Sequence, residues 1–462
     1  MPLPLFLPCA AGVEALLAEE TARLLPDAAV RAARGGVSLA GDPHEVMVLN
    51  LESRLAQRVL IEVGEGPYRD ESDLYSLALG VAWSDWITPR QTLRVDTTSQ
   101  RSPLRSLNFA ALRVKDAVCD RMRDEHGERP SVDTVRPDLR VVLHVGAERA
   151  AIYVDSSGES LFKRGWREDQ GDAPLKETLA AAMLAAAGWR GTPAAGGALS
   201  DPCCGSGTIA IEAAQIAMDL APGRLRRFAF ERLLPFAGAE RRADWQRLKS
   251  KAAARVRAPQ VPIFASDISF RMVDFARRNA ERAGVAAAIV FHGGDVLERA
   301  PPPLAAALPG TLMVNPPYGE RIEVVGKAGP RGAGRDPGRG PGRALPRSDG
   351  SAEAASAELR TGRRVDDAAA ASAALRRDPG EPASDRDAPG DFFPRLATHL
   401  KHAYTRHPAG WTAWILSPDM DLPRAMRLKE SRRVPMWNGP IECRLFRFDL
   451  VAGSARGPAR TG

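Results

Sequence analysis

From Leu175 onward the chain alternates helix-length stretches with short apolar runs: GALSDPCC, VPIFASDIS, AAIVFHGGDV, TLMVNPPY and GWTAWILSP. Strands spaced by helices are joined as parallel neighbours, because a parallel pair needs a crossover of a dozen or more residues. The alternation therefore predicts an α/β sheet with helices packed on it. The end of the chain breaks the pattern. In ESRRVPMWNGPIECRLFRFDL two strand-like runs flank Asn438-Gly439, a pair suited to a two-residue hairpin turn. A doubly wound, mostly parallel sheet finished by an antiparallel hairpin is the expected architecture.

Upstream the rhythm differs. The first fifty residues read strand (LPLFLPC), helix (GVEALLAEETARLL) and strand (VRAARGGVSLAG), followed by a helix at HEVMVLNLESRL and a strand at RVLIEVGEG. This is an α+β unit of ferredoxin-like size. The apolar opening is interrupted by Pro2, Pro4 and Pro8 and lacks a basic leader, so it reads as a strand and not as a secretion signal. From about Tyr75 to Trp166, strands at QTLRVDTTS, LRVVLHVG and RAAIYVDSS surround the helix SLNFAALRVKDAVCDRMRDE. Its Phe109, Leu112, Val114, Ala117, Val118 and Met122 are expected to share one face. Arg101, Arg105, Arg113, Lys115 and Arg140 make this block basic, within a chain of net charge +7. The same helix carries Asp116, Asp120, Asp124 and Glu125, so composition alone supports nucleic-acid contact and a solvated face equally.

Composition narrows the remaining classes. A hydrophobic fraction of 44% and a charged fraction of 26% are those of globular domains. Five cysteines in 462 residues, with no CxxC pair, exclude a disulfide scaffold and a zinc ribbon. No apolar run is long enough to span a bilayer, and the expected compartment is the cytoplasm. His399, His402 and His407 lack an HExxH pattern and read as a solvated helix, so no metal is expected. Residues 325–390 are Gly, Pro, Ala, Arg, Asp and Ser with hardly a large apolar side chain, and are expected to be disordered.

The chemistry gathers at the ends of the later strands. LSDPCCGSGT ends a strand at Asp201, turns through Gly205 and Gly207, and opens a helix near Thr208. The glycines allow close backbone approach to a ligand, but the dinucleotide fingerprint and the phosphate-loop lysine are both missing. A carboxylate at the strand end repels pyrophosphate and suits an ammonium group, as on a methionine moiety. Asp267 ends the next strand, placed to accept hydrogen bonds from a ribose diol, and Asp295 ends the one after, placed to accept from an adenine amine. Cys203 and Cys204 read as small packing residues. TLMVNPPYGER then sets Asn315, Pro316 and Tyr318 directly after a buried strand. Paired prolines stiffen the loop and remove two donors, leaving carbonyl oxygens and a rigid asparagine facing a planar amine, with Tyr318 offering a stacking face.

The order DPCCGSG, SDI, GGD, NPPY resembles the class I S-adenosylmethionine-dependent methyltransferases that act on exocyclic amines. KRGWREDQGDAPLKETLAAAML, NPPYGER and WNGPIECRLFRF resemble, more narrowly, the THUMP-domain guanine-N2 methyltransferases of large-subunit ribosomal RNA. FAALRVKDAVCDRMRDEHGERPSVD resembles their THUMP portion. The resemblance implies a ferredoxin-like region at 1–55, a THUMP domain at 56–160, and a Rossmann-like methyltransferase domain at 161–324 and 391–450. The insertion 325–390 and the tail 451–462 fall outside it. Cys203 stands where the family would have Met, and the single methyltransferase domain implies a single modification.

The resemblance also implies site roles. Asp201, Cys203, Gly205, Gly207, Thr208, Asp267, Ile268, Asp295, Val296 and Asn315 would bind S-adenosylmethionine. Asn315, Pro316 and Tyr318 would hold the flipped guanine. Arg101, Arg105, Arg113, Lys115, Arg164, Trp166 and Arg167 would touch RNA, and an interdomain contact is an equal reading for Trp166. The partner would be ribosomal RNA, naked or in a pre-ribosomal particle, with no membrane and no metal. A THUMP-containing tRNA guanine-N2 methyltransferase and a non-enzymatic RNA-binding assembly factor are the alternatives. DNA adenine-N6 or protein glutamine methylation is disfavoured by the THUMP-like half.

Overall fold

A computed structural model of the chain describes residues 2–171, 174–316 and 392–450; Tyr318 and the stretches 325–390 and 451–462 lie outside the described residues. The chain opens with β1 (Leu3–Pro8), α1 (Glu14–Leu24), β2 (Arg31–Ala33), β3 (Gly36–Gly41), α2 (Pro43–Glu52) and β4 (Leu60–Pro67). The single strand expected before residue 42 is a hairpin. Ala33 faces Gly36 across a two-residue turn, with Gly35 at φ +80°, a conformation glycine adopts without a Cβ penalty. α2 starts with a reciprocal cap: Asp42 accepts from the Glu45 N–H, and the Glu45 side chain accepts from the Asp42 N–H.

Next come α3 (Glu71–Leu79), β5 (Thr92–Ser99), α4 (Leu107–His126), β6 (Ser131–Val132), β7 (Leu139–Val145) and β8 (Arg149–Asp155). Ser106 caps α4 by accepting from the Phe109 N–H, and Gly127 at φ +74° ends it. The buried stripe of α4 runs through Ala110, Val114, Ala117, Val118 and Met122. Phe109 and Leu112, expected on that face, are 50% and 46% exposed. At 100° per residue both fall away from Ala110 and Val114.

All eight strands form one sheet, in the order β2-β3-β1-β4-β8-β7-β5-β6. β4 is the seam, pairing with β1 at Leu60 and Ile61 and with β8 from Leu60 to Pro67. The ferredoxin-like and following units therefore share a continuous backbone ladder.

The second half contains α5 (Glu177–Ala186), β9 (Ala198–Asp201), α6 (Thr208–Ala217), α7 (Ala239–Ala254), β10 (Ile263–Asp267), α8 (Phe270–Arg282), β11 (Ile289–Gly293) and β12 (Gly310–Val314). It closes with α9 (Phe392–Ala403), β13 (Trp411–Ser417), α10 (Leu422–Met426), β14 (Arg432–Asn438) and β15 (Ile441–Leu450). The seven-stranded sheet runs β11-β10-β9-β12-β13-β15-β14. Its first five strands are parallel, and β15 is antiparallel to both neighbours. This is the doubly wound sheet with a terminal hairpin that the sequence predicts, but the two turn residues are Gly439, at φ +63°, and Pro440, one position on from the expected Asn438-Gly439, because Asn438 still pairs with Ile441. Strand order reverses between β9 and β12, which leaves a crevice at their carboxyl ends.

Residues 218–262 clasp the two halves together. The N–H groups of Gly223, Phe230 and Leu234 donate to the carbonyls of Leu51, Ser156 and Trp86, each at 2.9 Å. Phe228 and Phe230 stack, and Trp245 meets both edge-on. The deepest contact is ionic. Glu212, fully buried on α6, accepts from Arg164 Nε at 3.1 Å and faces Arg54 at 3.5 Å. Arg164 also donates to the carbonyls of Leu161 and Arg54, and Arg54 to those of Gln215 and Leu220. Burial lowers the Arg54 pKa, and Glu212 opposes that shift. Glu212→Ala leaves two arginines without their shared counter-charge inside the protein. It is expected to cost about 3–5 kcal/mol in urea unfolding; a loss below about 1 kcal/mol would show that water reaches the pair.

Candidate functional site

β11, β10, β9 and β12 lie side by side, so their carboxyl ends present Asp295, Asp267, Asp201 and Asn315 in that spatial order. β11 stops at Gly293, two residues before Asp295, which is not itself the strand end the sequence suggests; Asp295 Oδ1 accepts from the Leu297 N–H at 2.9 Å. The three acids nonetheless share one field. Burial pushes the Cys203 thiol pKa up, and Asp267, Asp201 and Asp295 each push it further. Cys204 is raised in the same way, so neither thiol is poised as a nucleophile.

The turn between β9 and α6 is built on two left-handed glycines. Gly207 sits at φ +89°, and a Cβ there would lie 2.9 Å from Ala276 Cβ on α8, so side-chain-free backbone lets the two helices approach. Gly205 sits at φ +50°, and its missing Cβ would point into open space. The Gly205 N–H donates to Asp267 Oδ2 at 2.9 Å, while the Ser269 N–H donates to Oδ1 at 3.0 Å. Asp267 thus pins the glycine turn to the neighbouring strand.

Asp201 differs. It is 1% exposed, and no side chain among the described residues donates to either carboxylate oxygen; only the backbone amides of Cys203 and Ala210 face it, and they oppose part of the effect of burial. Burial raises its pKa well above the ordinary carboxylate range, and Asp267 adds to the rise. The Oδ1 of Asn315 is also buried and unpartnered among the described residues. Two buried acceptors on adjoining strands thus receive no side-chain donor among the described residues. Val296 is buried, while Ile268 is 68% exposed beyond the end of β10. A cavity of about 410 Å3 adjoins these tips, lined largely by apolar side chains such as Phe264, Val290 and Val296; the three carboxylates are not part of its wall.

Three residues expected at an RNA surface are placed elsewhere. Arg164 and Trp166 are 2% and 0% exposed, and Arg164 is committed to Glu212. Arg167 lies against the cofactor-type turn: it donates to Glu177 at 2.9 Å and to the hydroxyls of Ser206 and Thr208 at 2.8 Å. The Thr208 hydroxyl is therefore already engaged from within the protein. The linker holding these residues threads between the two halves, so its donors serve the interior. Arg101 and Arg105 are exposed, Arg113 lies 4.5 Å over the Tyr75 ring, and Lys115 pairs with Asp116. Glu212, Asn279 and Arg54 were not singled out by the sequence reading. An acid inside the apolar run TIAIEAAQIA is the one signal that points to Glu212. No group of three or more His, Cys, Asp or Glu placed to hold a metal occurs among the described residues.

A carboxylate with a raised folded pKa binds a proton on folding, so it opposes folding as pH climbs above the ordinary carboxylate value. Asp201→Asn is therefore expected to stabilise the ligand-free protein by about 1–3 kcal/mol at about pH 8. The gain should fade toward about pH 4, where the wild-type carboxyl is neutral when folded. Urea titrations at both pH values check this, and a pH-independent difference would contradict it.

Residues 164–329 match the family described as UPF0020, an RMKL-like methyltransferase domain, residues 68–155 the THUMP domain, and residues 4–60 the RlmL ferredoxin-like domain. Two curated relatives carry the name ribosomal RNA large subunit methyltransferase K/L. The Syntrophotalea carbinolica protein is 35% identical over 455 residues, covering 97% of this chain and 54% of its own length. The Pseudomonas aeruginosa protein is 41% identical over 319 residues, covering 69% of this chain and 44% of its own length. The chain thus spans about half the length of the curated relatives it matches. Among solved structures, SMU.472 in complex with SAH superposes with a TM-score of 0.72 at 24% identity, over 97% of this chain and 98% of that one. TrmN from Thermus thermophilus gives 0.58 at 19% identity, over 97% and 100%. No helix among the described residues is long and apolar enough to cross a membrane. With its fold and three matched regions in sequence order, the chain belongs to the THUMP-domain class I methyltransferases, carrying an RlmL ferredoxin-like domain, a THUMP domain and a UPF0020 methyltransferase domain.

Proposed function

We propose that this chain methylates the exocyclic N2 amine of a guanine in large-subunit ribosomal RNA, using S-adenosylmethionine, in the cytoplasm. The observation that carries the reading is a pair of buried acceptors on adjoining strands, Asp201 and Asn315 Oδ1, to which no side chain among the described residues donates. A buried carboxylate with no partner is costly unless a cation completes it, and the ammonium of a methionine moiety is such a cation. The open space beside Gly205 suits close passage of a ligand along the turn. Asp267 keeps lone pairs free for a ribose diol after its two backbone bonds, and Asp295 stands beside Val296 where an adenine would lie. Ribosomal RNA as the substrate is supported by the names of the curated relatives and by the THUMP match.

S-adenosylmethionine supplies a sulfonium-bound methyl group as the electrophile. The protein's task is to orient the amine. Asn315 Oδ1 and the Pro316 carbonyl would accept its two hydrogens, turn the nitrogen lone pair toward the methyl, and stabilise the positive charge that grows on nitrogen. As the N–C bond formed, the methyl–sulfur bond would break with its electron pair going to the departing thioether, and one amine proton would leave to solvent. Holding the partners in line is where most of the barrier reduction is available, on the order of 7–11 kcal/mol. A paired guanine must first be flipped out, at a cost of a few kcal/mol.

Labelled S-adenosylmethionine with unmodified ribosomal RNA is expected to yield N2-methylguanine on digestion and mass spectrometry. Label appearing only in tRNA or DNA would replace this substrate assignment. Asn315→Ala is expected to lower single-turnover transfer by about 10²–10³-fold while SAH still binds; an unchanged rate would remove Asn315 from the reaction. Because burial raises the Asp201 pKa and a bound ammonium would favour the carboxylate, S-adenosylmethionine binding should release protons and tighten as pH rises above the ordinary carboxylate range. Calorimetry in buffers of different ionisation enthalpy measures that release, and Asp201→Asn should abolish it.

A further inference from the structure

The glycine turn that would receive the cofactor is not self-supporting. Gly205 and Gly207 both occupy left-handed backbone, and glycine is the residue least able to hold a conformation unaided. Besides Asp267, which takes the Gly205 N–H, two further side chains from outside the turn fix its shape. Asn279, fully buried on α8, donates from Nδ2 to the Ser206 carbonyl at 3.0 Å and to the Asp169 carbonyl at 2.8 Å. Arg167 places its guanidinium fork on the side chains flanking Gly207: one terminal nitrogen on Ser206 Oγ, the other on Thr208 Oγ1, both at 2.8 Å. Nε of the same group donates to Glu177 Oε1 at 2.9 Å, and a further bond reaches the Leu175 carbonyl. The guanidinium also lies 4.9 Å from the centre of the Trp166 ring.

Every nitrogen of Arg167 is thus spent on holding the turn and the start of α5. The residue belongs to the linker that leaves β8, and its neighbours there are fastened as well. Arg164 is bound to Glu212 one turn into α6, Arg282 donates to the Trp166 carbonyl, and Asp169 accepts from Arg278 and Arg282.

We propose that Arg167 is a positioning residue for the S-adenosylmethionine turn, setting the Ser206–Thr208 backbone through a three-point grip that only a planar guanidinium can supply. The inference rests on the function proposed above. A lysine at this position keeps the charge opposite Glu177 but provides a point donor in place of the fork.

The test compares wild type, Arg167→Lys and Arg167→Ala, measuring SAH affinity by calorimetry, RNA affinity by filter binding, and KM for each substrate. Arg167→Lys is expected to weaken SAH about tenfold and raise KM for S-adenosylmethionine in step, with RNA affinity and KM for RNA within about twofold of wild type. Arg167→Ala should weaken SAH further. If it fails to fold because Glu177 loses its counter-charge, Arg167→Lys and Ser206→Ala, which removes one grip point alone, decide the matter. SAH affinity within about twofold of wild type in both would overturn the proposal, as would equal losses in SAH and RNA binding, the signature of a general packing role. Wild-type protein that binds no SAH would instead reject the function itself, so the two failures are distinguishable.

Discussion

Glu212 places an acid in a helix otherwise made of threonine, isoleucine, alanine and glutamine, and the join between the two halves of the molecule is built around satisfying it. Neither Arg54 nor Arg164 belongs to the methyltransferase sheet; one comes from the ferredoxin-like unit and the other from the linker. The acid of α6 therefore has both arginine partners only when the amino-terminal half is docked. That dependence explains why so many other contacts between the halves are backbone hydrogen bonds of fixed geometry. The Gly223, Phe230 and Leu234 amides each find a carbonyl across the join, and a buried ion triad tolerates little misregistration.

The opposite logic governs the strand tips. There the protein leaves polar groups incomplete. Among the described residues no side chain donates to Asp201 or to Asn315 Oδ1, whereas Asp267 takes two amides, serves as the peg for the turn and keeps its remaining lone pairs open. One end of α6 is thus fully neutralised and the other is kept in electrostatic need. Stability gathered at the interdomain end offsets the cost of the unsatisfied end.

Much of this is readable from the chain. Regular alternation of apolar runs and helices yields the parallel sheet, Asn438-Gly439 yields the hairpin, and acids after successive runs yield the crevice. What escapes has physical causes. Residues 30–41 read as one strand because a two-residue turn at Gly35 barely interrupts the apolar pattern. Phe109 and Leu112 mislead because α4 carries apolar residues on two sides. Arg164, Trp166 and Arg167 resemble a basic surface patch, since one-dimensional spacing does not distinguish a guanidinium facing solvent from one facing a buried glutamate. The partners that reveal the difference, Glu177, Ser206 and Glu212, lie between 10 and 48 residues away.

The shared ladder through β4 has a mechanical corollary. β4 pairs with β8 along Leu60–Pro67 and with β1 at Leu60 and Ile61, so the two modules share one plank of sheet and are not beads on a string. Any nucleic acid gripped by the far edge of that plank is held at a preset span from the crevice. Under the proposed function, a nucleotide would be presented to the crevice at a separation set by this ladder, so length along the nucleic acid would count beside the chemical face of the base.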